Sequence, residues 1–122
     1  PTPCLERVKR LEKEGFISRY VALVDPLKAS LALCAYIEVQ LASSTTAAFK
    51  RFNQKMRDLP DVQECQMVAG GFDYLIKIRV ADMLHYQRFL GEKLASIDDI
   101  SQTHTYVVID DIKSETALQI QD

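Results

Sequence analysis

Apolar residues alternate with polar ones in two stretches of the chain, and this period of two predicts β-strands. The stretches are residues 35–41 and 73–80, each with one apolar face, as expected of a half-buried strand. The inward positions are Ala35, Ile37, Val39 and Leu41 in the first and Tyr74, Ile76, Ile78 and Val80 in the second. Residues 16–25, 62–69 and 100–112 are rich in β-branched and apolar side chains and are predicted to form further strands.

Two segments repeat their apolar residues at helical spacing and predict helices over about 46–58 and 82–96. Ser43, Ser44 and Thr45 are candidate caps of the first, and Asp82 caps the second. The predicted buried stripes are Phe49, Phe52, Met56 and Leu59 in the first and Met83, Tyr86, Leu90 and Leu94 in the second.

The order strand, helix, strand occurs twice, and the two copies match at an offset of 38 residues, with Phe52 on Leu90 and Met56 on Leu94. Two such halves joined by a hairpin predict an α+β, ferredoxin-like βαββαβ domain over residues 34–112, with a four-stranded antiparallel sheet and both helices on one face. The uncovered face is predicted to be apolar enough to pair with a second copy. Its expected residues are Tyr36, Leu75, Tyr106 and Val108.

The first 15 residues predict a capped helix, with Thr2 before Pro3 at its start and Gly15 at its end. Its apolar stripe, Leu5, Val8 and Leu11, has no partner upstream. We therefore expect this helix to belong to a unit whose preceding helices are missing. Residues 16–33 then form a linker strand and connector, and residues 113–122 a polar tail.

A pair of glycines, Gly70-Gly71, separates two apolar runs and predicts a tight hairpin turn, because glycine tolerates the positive φ that such turns require. The turn leaves two backbone amides open to a small polar ligand, with Asp73 beside them. A plain hairpin remains the alternative, in which Asp73 only accepts hydrogen bonds from the amides of the turn.

Composition and charge limit the classes of function that are compatible with this sequence. A net charge of −2 argues against nucleic acid, although residues 1–20 hold five basic and three acidic side chains, an excess of +2. No apolar run reaches the ~20 residues that a bilayer requires. Three separated cysteines indicate no disulfide framework and favour a reducing, cytoplasmic compartment.

Catalysis is not indicated by the titratable residues. His85 and His104 have no acid, cysteine or serine at a relay or ligand spacing, and no phosphate loop or zinc pattern is present. We expect neither an enzyme nor a cofactor or metal.

Three blocks carry a resemblance to a known family: residues 1–17, residues 69–77 (Ala-Gly-Gly-Phe-Asp-Tyr-Leu-Ile-Lys) and Thr105-Tyr106-Val107-Val108. Together they resemble the Lrp/AsnC (feast/famine) transcriptional regulators along nearly the whole chain. The resemblance implies an N-terminal helix-turn-helix ending in a recognition helix, here truncated, and a ferredoxin-like effector domain. It also implies homodimers that associate into higher oligomers, with an amino acid bound between dimers.

The same resemblance implies the site residues. Thr2, Arg7 and Arg10 become candidates for contact with double-stranded DNA. The effector, leucine or another apolar amino acid, would bind through glycine amides to its carboxylate, Asp73 to its ammonium and apolar side chains to its tail. The implied effector-binding residues are Met67, Gly70, Gly71, Asp73, Tyr74, Met83, Tyr106, Val107 and Val108.

One position departs from the family pattern, and two other functions stay open. Many relatives carry an acidic residue where this chain has Gly71, which bears on ammonium binding and selectivity. The open alternatives are a small ferredoxin-like enzyme and a regulatory amino-acid-binding module of a metabolic enzyme. A catalytic domain encoded upstream in place of a helix-turn-helix would indicate the latter.

Overall fold

The structure, a computed structural model, describes residues 31–115. The predicted recognition helix, the DNA-contact residues Thr2, Arg7 and Arg10, and most of the linker lie outside the described residues. The elements are β1 (Leu33–Leu41), α1 (Thr46–Asp58), β2 (Val62–Met67), β3 (Tyr74–Val80), α2 (Met83–Arg88) with a π-helical continuation (Phe89–Leu94), and β4 (Ile100–Val107).

The four strands form one antiparallel sheet in the order β2-β3-β1-β4. β1 lies at the centre, where Val39 is opposite Tyr74 on one side and Thr103 on the other. This is the ferredoxin-like arrangement, so the predicted fold class is confirmed for the described residues.

The core lies between the sheet and the two helices. Every inward position predicted for β1 and β3 is buried, as the period of two requires when one sheet face is covered. Phe52 of α1 is fully buried and packs on the ring of Tyr74, with ring centroids 4.4 Å apart.

Helix α1 has the predicted bounds, and of the three candidate caps Thr45 takes the position. Its hydroxyl accepts a hydrogen bond from the amide of Ala48 at 3.2 Å, satisfying one of the free amides of the first turn. Of the predicted stripe, Phe52 and Met56 are buried, while Phe49 and Leu59 pack at its edge.

The second helix has the predicted cap but differs from its prediction further along. Asp82 is the cap, as predicted, and accepts from the His85 amide at 3.0 Å. After Arg88, however, the helix widens into a π-helical turn, with the amide of Ala95 bonded to the carbonyl of Leu90. The wider turn changes the phase of the apolar face after Arg88, and Phe89 enters the core while Leu90 packs at its edge. Tyr86 and Leu94 are buried as predicted, whereas Met83, which precedes the wider turn, is 50% exposed.

The last strand is shorter than predicted, ending at Val107 rather than Ile112. The amide of Val108 still bonds to the carbonyl of Cys34, but β1 begins at Leu33, which this register places opposite Ile109, and it offers no partner beyond that residue. A strand without a ladder partner is not sustained, and Ile109 and Ile112 are accordingly exposed.

The face of the sheet opposite the helices was predicted to be apolar and is instead mixed. Tyr36 lies opposite Tyr106, and the Tyr106 hydroxyl donates to Glu38 Oε1 at 3.3 Å. Strand alternation places Glu38, Gln40, Lys77, Gln102 and His104 on the same face. Its apolar part is therefore confined to the tyrosine pair and its neighbours.

A bidentate ion pair joins α1 to the residue before β4. Arg51 donates from Nε and Nη2 to the two carboxylate oxygens of Asp99, at 3.1 and 2.9 Å. These hydrogen bonds, followed by the attraction between the charges, lower the pKa of Asp99. A depressed pKa in the folded state stabilises the fold above the unfolded pKa, and the contribution is lost as pH falls through the folded pKa.

Replacing Arg51 with glutamine is therefore expected to raise the pKa of Asp99 towards its ordinary value. The carboxyl ¹³C shift of Asp99, followed by NMR through an acid titration, measures this directly. Lys50→Gln on the same helix is the matched control and should leave the pKa of Asp99 unchanged. An unchanged pKa in Arg51→Gln contradicts the ion pair.

Candidate functional site

The segment between β2 and β3, residues 68–73, is a six-residue bend rather than the predicted tight hairpin turn. It is closed by a hydrogen bond from the Val68 amide to the Asp73 carbonyl at 3.0 Å. Neither Gly70 nor Gly71 has a φ in the left-handed region, so positive φ is not why glycine occupies these positions. The longer connection spreads the reversal over more residues and needs no left-handed conformation.

Asp73 fastens the bend to the end of β1. Its amide donates to the carbonyl of Val39 at 3.0 Å, and its Oδ2 accepts from the amide of Leu41 at 2.8 Å. The carboxylate thus accepts a hydrogen bond from a neighbouring strand. In the plain-hairpin alternative, it would accept only from amides of its own turn. Oδ1 makes no hydrogen bond within residues 31–115, which leaves an acceptor for a cationic group.

The two glycines present open backbone. Both are exposed, and a Cβ built on either would meet no atom within 4 Å. Among the described residues, neither glycine amide donates a backbone hydrogen bond. Free amides next to a carboxylate are groups that can bind the two ends of a zwitterion.

A polar cavity of about 300 Å³ lies beside the bend on the open face of the sheet. His104 is placed here opposite Glu38, and its Nε2 lies 3.3 Å from Nε2 of Gln102. Strand alternation alone could have placed these residues on this face. The lining residues are Glu38, Gln40, Gly71, Phe72, Gln102 and His104.

The opposite end of the sheet carries four of the predicted effector residues, Met83, Tyr106, Val107 and Val108. Tyr106 is opposite Tyr36, and by the same ladder Asp73 falls beside Gln40 on the other side of β1. With ~3.3 Å per residue and ~4.8 Å between strands, Asp73 and Tyr106 are about 16 Å apart. Met83, at the start of α2 just beyond β3, lies at the Tyr106 end.

One protomer therefore does not bring the predicted residues together. No free amino acid spans that separation, and Tyr106 and Val107 also point to opposite faces of β4. Met83, Tyr106 and Val107 are 50%, 56% and 42% exposed, so both faces of β4 are uncovered at this end of the sheet. The bend and either face can share a ligand only if they come from different molecules.

Met67 and Tyr74 form the last pair of the β2–β3 ladder before the bend. Both line a cavity on the helix-covered side of the sheet, between α1 and β2. Tyr74 is 2% exposed, and its hydroxyl donates to Asn53 Oδ1 at 2.5 Å. Sequence reasoning missed Asn53, Arg57 and Cys65, which also line this cavity, because the helix and the strand that carry them show no joint signal in the sequence.

Within residues 31–115, no group of three or more His, Cys, Asp or Glu side chains could hold a metal ion. His85 Nδ1 lies 2.7 Å from Asp82 Oδ1 at an exposed helix start. The described helices include none long and apolar enough to cross a membrane.

Comparison with known proteins gives a consistent assignment. Residues 34–118 match the family model described as Lrp/AsnC ligand binding domain. The chain is 43% identical over 121 residues to the leucine-responsive regulatory protein of Klebsiella pneumoniae, covering 99% of this chain and 74% of that protein.

Two solved structures share the fold. A transcriptional regulator of Neisseria meningitidis in complex with L-Met superposes with a TM-score of 0.86 at 32% identity, over 98% of this chain and 77% of that one. An AsnC family transcriptional regulator of Agrobacterium tumefaciens gives 0.83 at 31% identity, over 97% and 76%. These relatives are named as regulators of transcription rather than enzymes. The chain therefore belongs to the Lrp/AsnC family of transcriptional regulators and carries its ligand-binding domain.

Proposed function

We propose that this chain senses an apolar amino acid, leucine or methionine, at a site shared between two molecules, and that binding there regulates transcription. The supporting observation is the separation of the Gly70–Asp73 bend from the Met83 and Tyr106–Val108 surface within one protomer. Each half offers groups that the other lacks, and the relative from Neisseria meningitidis was solved with L-Met.

The bend supplies the polar half of this site. The free amides of Gly70 and Gly71 bind the ligand carboxylate, and Asp73 Oδ1 accepts from its ammonium. Met67 and Tyr74, the last ladder pair, fix where the bend lies. Gly71 adds no negative charge, so Asp73 is the carboxylate that meets the ammonium.

The apolar half comes from another copy, whose Met83, Val107 and Val108 contact the ligand side chain. Because one methylene discriminates by only ~1–3 kcal/mol in an apolar pocket, leucine and methionine are both accepted. Dimers form through the open sheet face around Tyr36, Leu75 and Tyr106, where the Tyr106 side chain is 56% exposed. Dimers join where bend and apolar surface meet.

The regulatory output follows from linkage. A ligand that binds between molecules favours one assembly over another and so shifts their populations. The assembly sets the spacing of the DNA-binding units, for which Thr2, Arg7 and Arg10 are the proposed contacts to double-stranded DNA. A regulator of this kind acts in the bacterial cytoplasm and needs neither catalysis nor a cofactor.

Complementation between two defective variants tests the shared site. Asp73→Ala removes the carboxylate of the polar half and Val107→Glu places a charge in the apolar half, so leucine binding to each variant alone should be too weak to measure by isothermal titration calorimetry. Mixed after dissociation and reassociation, about one quarter of the sites regain both halves, because half of the chains supply each.

Each variant carried through the same dissociation and reassociation unmixed is the control. Sedimentation velocity must show that both variants assemble as the parent does. A mixture that binds no more leucine than the unmixed variants contradicts a site built from two molecules.

A further inference from the structure

The side chains that line the cavity between α1 and β2 differ chemically from the groups at the bend. Its volume is about 390 Å³, within the range of small-molecule sites. It opens on the helix-covered side of the sheet, because Cys65 and Met67 pair there with the inward residues Ile76 and Tyr74. Its apolar wall is rich in sulfur, a soft surface that adapts to branched ligands. That wall consists of Met56, Val62, Cys65 and Met67.

Arg57 of α1 supplies a positive charge at the cavity, and it makes no ion pair with another described residue. Glu64 also borders the cavity, but its carboxylate pairs with Lys77 at 3.5 Å on the open face of the sheet. Gln63 is engaged as well, since its Oε1 accepts from Arg79 Nε at 3.0 Å. The lining thus offers a cation and no free carboxylate.

Asn53 adds a fixed donor next to the cation. Its Oδ1 already accepts from the buried Tyr74 hydroxyl, which orients the amide so that Nδ2 is the group left to donate. A guanidinium and an amide N–H suit a carboxylate with an adjacent carbonyl. An ammonium would find no anionic partner here, and burying an unpaired charge is costly.

We propose that this cavity binds a small carboxylate with a branched apolar tail and no ammonium, namely a 2-oxo acid. The carboxylate pairs with Arg57, the 2-oxo group accepts from Asn53 Nδ2, and the tail contacts Met56 and Met67. This site lies within one protomer and does not depend on the shared amino-acid site. The chain would then respond separately to an amino acid and to the acid left when its amino group is removed.

Cys65 provides a reporter, because its half-buried thiol lines the cavity. A ligand in the cavity shields the thiol from iodoacetamide, whereas the buried Cys34 serves as an internal reference. Burial raises the pKa of Cys65, so alkylation is followed at alkaline pH, where a larger fraction of the thiol is the reactive thiolate. Peptide mass spectrometry resolves the rate at each cysteine.

With 4-methyl-2-oxopentanoate as probe, we expect alkylation of Cys65 to slow at least fivefold. The neutral 4-methylpentan-2-one, which lacks the carboxylate, should give no protection, and leucine should give less than the oxo acid. Arg57→Gln should abolish the protection. Lys50→Gln, which removes an exposed cation of the same helix outside the cavity, should retain it. The ratio of rates with and without ligand, taken within each variant, removes any effect of the substitution on the thiol itself.

Asp73→Ala separates this site from the shared one, since it should abolish leucine binding and leave the protection of Cys65 unchanged. Equal protection by leucine, or full protection in Arg57→Gln, overturns the proposal. So does an unchanged alkylation rate at millimolar oxo acid. None of these results bears on leucine binding between molecules, which the complementation experiment measures.

Discussion

Replacing Phe52 with alanine is expected to lower the free energy of unfolding by about 3–5 kcal/mol, the range for removing a large aromatic side chain from a core. Phe52 is fully buried and stacks at 4.4 Å on Tyr74. The empty volume would lie between α1 and the sheet, where two elements fixed by their own hydrogen bonds limit collapse. The loss is a large fraction of the 5–15 kcal/mol that holds a typical domain folded.

Urea unfolding followed by circular dichroism measures this loss, at one protein concentration because assembly contributes to apparent stability. Phe49→Ala is the matched control. Phe49 is only partly buried and meets Tyr74 edge-on at 6.3 Å, so its replacement should cost clearly less. Equal losses for the two variants would show that α1 does not pack on the sheet through Phe52.

The fold was predictable because its strands and α1 depend on short periods that one sequence displays. Alternation in β1 and β3 places every second side chain on one face, and all eight inward positions predicted for them are buried. The offset of 38 residues was also informative, since Met56 and Leu94 both lie in the core. Local patterns suffice where each element buries one continuous face.

The second helix could not be predicted to the same detail. A π-helical turn widens the helix without any change in composition. The pattern of apolar residues is therefore equally compatible with Leu90 or Phe89 facing the core. The prediction of a tight turn with positive φ at Gly70 and Gly71 was wrong for a related reason. Glycine indicates that left-handed φ is permitted, not that it is used, and a six-residue bend has other solutions.

The sequence suggested candidate site residues but could not give their arrangement in space. Asp73 and Tyr106 were grouped by resemblance, yet β1 separates their strands and their ladder positions are four residues apart along it. Periodicity describes one chain and contains no information about which ends of two chains meet. For the same reason, the sequence did not reveal the cavity lined by Asn53, Arg57 and Cys65, which forms only when α1 packs against β2.

Asp73 holds the bend to β1 and is the proposed partner of the ligand ammonium, and the variants Asp73→Asn and Asp73→Ala separate these two functions. Asparagine keeps an oxygen that can accept from the Leu41 amide but loses the charge for the ammonium. We expect Asp73→Asn to fold with almost unchanged stability and to bind leucine about 10- to 150-fold more weakly, the equivalent of a charged hydrogen bond of ~1.5–3 kcal/mol.

Alanine removes the acceptor as well, so Asp73→Ala should lose affinity at least as strongly and also cost about 1–3 kcal/mol of stability, because the Leu41 amide is left without its partner. Calorimetry with leucine and methionine gives the affinities, and urea unfolding gives the stabilities. Asp98→Asn, an exposed carboxylate outside residues 68–73, is the control and should change neither. If Asp73→Asn binds leucine as tightly as the parent while Asp73→Ala is destabilised, then Asp73 holds the bend to β1 and the ammonium is bound elsewhere.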